Sequence, residues 1–141
     1  MIVSFAMFAD AANISQEGKL NILGVFDAVQ VGAVPAVHPR AHLIVRFKGT
    51  PLDVGVHSVG LRWQNPNGVE LWSSDGQIEL SQPPPGVSEV DIPLIATVDL
   101  PLDLQGSYAM LLLVNGEPCG EVPLHVRTAA PFVAPVGGMV S

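Results

Sequence analysis

The chain has 141 residues, 48% of them hydrophobic and only 13% charged. That is room for one ordinary domain whose core needs no metal or disulfide frame. With 14 Gly and 13 Pro residues the composition excludes long helices and coiled coils. Six Lys+Arg against 13 Asp+Glu, a net charge of −7, leave no electrostatic footprint for nucleic acid.

Residues 2–9 form a first apolar strand, followed by a polar loop over 10–18. The run lacks a basic leader, and no stretch nears the roughly 20 apolar residues of a spanning helix. A cytoplasmic protein without membrane partners is expected, with a virion or extracellular assembly as the alternative. Residues 20–31 read as one strand with Leu20, Ile22, Gly24, Phe26 and Ala28 on one parity. A connection over 32–40 holds Pro35 and Pro39. Residues 41–48 alternate, with Leu43, Val45 and Phe47 inward and His42, Arg46 and Lys48 outward, Ile44 among the latter.

A three-stranded meander is expected over 56–81. Pro66, Asn67 and Gly68 form a three-residue loop that sets Asn65 opposite Val69, Trp63 opposite Leu71 and Arg62 opposite Trp72. Asp75-Gly76 reads as a second turn, setting Trp72 opposite Glu79. The three prolines at 83–85 make a stiff connector that crosses between sheets. Residues 88–100 alternate again, with Val90, Ile92, Leu94, Ala96, Val98 and Leu100 inward, and Pro93 suits an edge or a bulge. A last hairpin joins 107–114 to 120–126 around Asn115-Gly116. Its parity groups Leu111 and Leu113 with Val122, Leu124 and Val126, and Pro123 marks a second edge. The count of about eight strands predicts an all-β, single-domain sandwich, immunoglobulin-like or Greek-key, with a jelly roll as the alternative. The domain spans 1–128, and 129–141 is an apolar, Pro/Gly-containing arm.

Leu104-Gln105-Gly106-Ser107-Tyr108 resembles the tyrosine corner of immunoglobulin-like sandwiches. A wider pattern surrounds it: Ala9-Asp10-Ala11, then Gly18-Lys19-Leu20-Asn21-Ile22-Leu23-Gly24-Val25-Phe26, Gly55-x-His57-x-Val59, and Gly106-x-Tyr108 before an Asn-Gly hairpin. This pattern is similar to a family of short, single-domain bacterial β-sandwich proteins of unknown function. The resemblance implies a fold and a bacterial source, and no catalytic residue or cofactor.

The residues themselves point away from catalysis. His38 and His42 have a zinc-like spacing, but Pro39 and the strand pattern oppose the helix it needs. No G-x-S-x-G, H-E-x-x-H or phosphate-cradling glycine loop occurs. Cys119, the one cysteine, has no Cys/His signature around it; it reads as a small apolar filler in a reducing compartment.

Two surfaces remain. Met110, Leu112 and Val114 make one strand apolar on both faces, and the arm carries Phe132 and Val133. The primary expectation is therefore a non-enzymatic structural or interaction protein whose partner is itself. It would form a homo-oligomer through these five residues, with phage-type, filament and shell subunits among its roles. The alternative is a small-ligand or carbohydrate module centred on an exposed Trp72 with Arg62 and Glu79.

Overall fold

The computed structural model describes residues 1–129. Its strands are β1 (Ile2–Ile14), β2 (Leu20–Phe26), β3 (Ala28–Val31), β4 (Ala36–Gly49), β5 (Gly55–Gln64), β6 (Glu70–Leu80), β7 (Val90–Leu102), β8 (Gly106–Val114) and β9 (Glu117–Thr128). They form a four-stranded sheet, β2-β1-β4-β7, and a five-stranded sheet, β3-β9-β8-β5-β6. The run β9-β8-β5 has the G-F-C order of an immunoglobulin sandwich, and β4-β7 its B-E pair. The core lies between the sheets. Phe8, Leu43, Val45, Phe47, Val98 and Leu100 meet Val59, Leu61, Trp63, Met110, Leu112 and Leu124 there.

Strict alternation gave the β4 and β7 faces correctly: Leu43, Val45 and Phe47 are buried, and so are Val98 and Leu100. Pro93 does lie on an edge, because β7 is the outer strand of its sheet. The segment 20–31 is not one strand. It breaks at Asp27, whose carbonyl accepts from His125 N–H at 2.8 Å, and continues as β3 in the other sheet, parallel to β9. β1 runs on to Ile14 and takes up part of the expected loop by pairing with β2. Pro123 is on a flanked strand, but β3 covers β9 only from His125 onward.

Two one-residue bulges overturn the other expected registers. The loop after Gln64 is as read, with Asn65 and Val69 hydrogen-bonded across it. Leu71 then bulges, so Trp63 faces Trp72 and Arg62 faces Ser73. β6 also runs straight through Asp75-Gly76, so the meander is a two-stranded hairpin. A turn there would strip pairing from the first half of β5; the continuous strand pairs β5 from Gly55 to Trp63. In the last hairpin Asn115 (φ 52°) and Gly116 (φ 81°) make a two-residue turn that needs positive φ at both positions. Cys119 bulges next, and a one-residue slip exchanges the faces. Tyr108, Met110 and Leu112 therefore share the core face with Val122, Leu124 and Val126, while Leu111 and Leu113 turn outward.

The sheets are locked at the β7–β8 corner. The Tyr108 hydroxyl accepts from Leu104 N–H at 2.8 Å and lies 2.7 Å from the Leu104 carbonyl and 2.9 Å from Asp103 Oδ1. This is the tyrosine corner that residues 104–108 resemble. Its ring stacks on Trp63 at 5.2 Å, and Trp63 Nε1 donates to the Pro101 carbonyl at 2.9 Å. Asn65, 6% exposed, donates to Asp103 Oδ2 and accepts from Asn67 and Val69 N–H groups. Gly106 has φ 141°, and a Cβ there would stand 2.8 Å from Pro66 Cγ. Only glycine lets the Asn65 turn close on the corner.

Removing the Tyr108 hydroxyl strands the Leu104 amide. Tyr108→Phe is expected to lower stability by about 1–3 kcal/mol in urea unfolding. The Asn65 amide, followed by the Tyr108 hydroxyl, holds the Asp103 carboxyl below its ordinary pKa of 3.8 against the opposing effect of burial. A lowered folded pKa means stability that is present above 3.8 and lost as pH falls through the folded value. Asp103→Asn should therefore flatten the acid limb of the melting-temperature profile below pH 3.8.

Candidate functional site

β6 and β7 are the free outer strands of their sheets and lie on the same side of the sandwich. Between them is an apolar groove of about 160 Å³, lined by Val59, Leu61, residues 74–78, Leu94 and Ala96. Its cause is a shortage of side chain. Ser74 and Gly76 pair with Leu61 and Val59, so they occupy core-facing positions of β6. Ala96, opposite Leu43, occupies one on β7. Three small residues fall where the pattern calls for bulk, so the buried side chains of Val59 and Leu61 line an open cleft. At the end of β6 the sandwich does close, with Leu80 packed so tightly on Gly49 that a Cβ there would stand 2.6 Å from it. If the groove were an empty cavity, at roughly 24 cal/mol per Å³ it would withhold about 4 kcal/mol; access to water makes this an upper bound.

The β6 edge itself is open to pairing. It has 11 residues and contains neither proline nor lysine, the usual blunting devices. β7 contains Pro93 and Pro101. Two of the β6 acids are neutralised from the outer face: Arg62 reaches Asp75 at 2.8 Å and Glu70 at 3.7 Å. Gly60 makes room for this, since a Cβ there would lie 3.2 Å from the Arg62 guanidinium and from Asp75.

The expected site residues are scattered. Met110 and Leu112 are core residues, 0% and 1% exposed, so neither can form a surface; the Cys119 bulge is the reason. Val114 is half-buried against the same core. Phe132 and Val133 lie outside the described residues. Trp72 faces Trp63 and packs on the core, away from the outer-face position that the expected register gave it. Arg62 is engaged with Asp75 and Glu70, and Glu79 faces Val56 near the far end of β6. The structure does not bring Arg62, Trp72 and Glu79 together as a platform.

The polar clusters have internal partners. His57 Nε2 lies 2.5 Å from the Asp53 carbonyl, and its Nδ1 is 2.9 Å from Asn115 Nδ2. The Thr50 backbone N–H, and then the terminal ammonium of Met1, hold the Asp53 carboxyl below its ordinary pKa. Cys119 Sγ donates to the Leu112 carbonyl at 3.3 Å, and burial raises its pKa, which suits a filler and not a nucleophile. Arg46 pairs with Asp91 and lies over the Phe5 ring. His38 packs on Phe26, and Ser107 meets His125. Among the described residues no three His, Cys, Asp or Glu side chains converge on a metal-sized site. Nor, among them, is any helix long and apolar enough to cross a membrane.

A family model described as a family of unknown function (DUF6941) matches residues 4–127. No curated protein matches the chain. One similar solved structure is the Pseudomonas fluorescens alkylpurine DNA glycosylase AlkC bound to DNA containing an abasic site analog. The likeness has a TM-score of 0.45 at 13% identity and covers 86% of this chain and 30% of that one. The chain spans less than a third of that protein, and so distant a likeness says nothing of function. The motifs running from Ala9 to the last hairpin and the family match agree: the chain belongs to the DUF6941 family of unknown function.

Proposed function

We propose that this chain is a non-enzymatic interaction module that associates with copies of itself, as the subunit of a repeated assembly. The observation that supports this reading is the groove between β6 and β7, where core side chains line an open cleft beside a proline-free strand edge. Burying such a surface is favourable, and an unpaired edge offers the backbone groups to direct it. The net charge of −7 opposes close approach of copies only at low salt, because the charges are spread and screened beyond about 8 Å at physiological ionic strength. The surface for association is thus the β6–β7 side, and the final hairpin contributes its inner face to the core.

Light scattering coupled to size exclusion on the full chain tests the reading. A mass above 14.8 kDa that rises with concentration is expected. Ala96→Leu fills the groove from within and should return the protein to monomer while keeping or raising its melting temperature. A full-length chain that stays monomeric at every concentration contradicts the proposal.

A further inference from the structure

We infer that two copies pair β6 against β6, antiparallel, about a two-fold axis at Gly76. This rests on the self-association proposed above and names its contact.

The ladder inside one copy fixes which backbone groups are free. The Ser58 carbonyl accepts from Asn115 N–H, so Ser58, Gly60 and Arg62 turn their backbone groups toward β8. Val59, Leu61 and Trp63 turn theirs toward β6, where they meet Gly76, Ser74 and Trp72. The N–H and C=O groups left on the outer edge therefore belong to Ser73, Asp75, Gln77 and Glu79. The side chains of these four lie on the outer face of the sheet, and those of Ser74 and Ile78 on the groove side. A second β6 thus hydrogen-bonds to the odd-numbered residues. Its own even-numbered residues fall opposite Ser74, Gly76 and Ile78, in the pairs that stand closer, with Cα atoms about 4.5 Å apart.

Charge selects the register. With the axis at Gly76, Asp75 faces Gln77 of the second copy and Glu79 faces Ser73 of the second copy. No acid then meets an acid. An axis at Asp75 sets Asp75 against Asp75, and an axis at Gln77 sets Asp75 against Glu79; like charges directly opposite destabilise a strand pair. Shape agrees with the same register. Gly76 meets Gly76 where the backbones approach most closely, a use that an interior strand glycine serves. Ile78, half-buried beside the groove, falls opposite Ser74 of the second copy and covers the recess that the serine leaves. The axis crosses the sheet, so this contact is made twice, and the two groove mouths open onto each other. β7 is the poorer edge because Pro93 and Pro101 interrupt it.

The contact is isologous and closes on two copies, which makes the pair the unit of the proposed assembly. Residues 72–80 overlap, nine a side, against about 20–30 a side in a standard interface, so the pairing is weak and depends on concentration.

Substitutions at Gln77 in the full chain test the register, read as mass against concentration by light scattering. Gln77→Lys sets a lysine against Asp75 of the other copy, twice, and should tighten the pair about threefold or more; Gln77→Glu sets an acid there and should weaken it by as much. Gln30, exposed on β3 at the opposite edge of the same sheet, controls for net charge. Gln30→Lys and Gln30→Glu should leave association within about 1.5-fold, as their charges lie more than a screening length from the contact. Gln77→Pro removes a donor that one copy alone leaves to solvent, so the fold should persist while association falls about tenfold or more. If the proline variant unfolds, the two charge variants carry the test, since they leave the backbone intact. Equal effects at positions 77 and 30 overturn the β6 pairing and leave self-association standing, the result expected if another segment of the chain holds that edge. A monomeric unaltered chain overturns both.

Discussion

One indole hydrogen bond, from Trp63 Nε1 on β5 to the Pro101 carbonyl on β7, ties the two sheets together. The remaining packing is arranged around it. Tyr108 stacks on the same indole and fixes the corner through Leu104; Phe8 meets it edge-on from the opposite sheet at 5.9 Å. Asn65 and Asp103 then satisfy the polar atoms that the corner buries. An unpaired indole N–H or tyrosine hydroxyl here costs about 1–3 kcal/mol, so each missing partner weakens the cluster by that order. The corner is closed and fully bonded, in contrast to the side formed by β6 and β7.

That contrast carries the functional reading. The sandwich closes where Leu80 meets Gly49, and it is locked where Trp63 meets Tyr108. Between them Ser74, Gly76 and Ala96 leave the groove unfilled. A domain selected only to stay folded gains by placing larger side chains at such positions. Their small size leaves an apolar groove beside the open β6 edge, the surface on which the proposed self-association rests.

Much of this was legible in the sequence, and the failures have separate physical origins. Period-two alternation reads faces correctly wherever the ladder is unbroken, as in residues 41–48 and 88–100. The corner was legible because Gly106 and Tyr108 have fixed structural tasks. Parity was lost at Leu71 and at Cys119, where one extra residue exchanges the faces of all that follows. No periodicity distinguishes Met110 and Leu112 from Leu111 and Leu113, since all four are apolar. Asp75-Gly76 misled for a different reason. Its local turn preference was outweighed by the pairing of β5, and reading it as a turn hid the small residues that make the groove. The break at Asp27 had no strong local signal, because Ala28 and Val31 suit either sheet.

Backbone amide hydrogen exchange along β6, on the full chain at low and high protein concentration, tests the central claim most directly. If another copy adds a strand to this edge, β6 amides gain protection as concentration rises, and β2 amides on the other sheet's outer edge keep a constant rate. Exchange along β6 that is the same at every concentration contradicts the account.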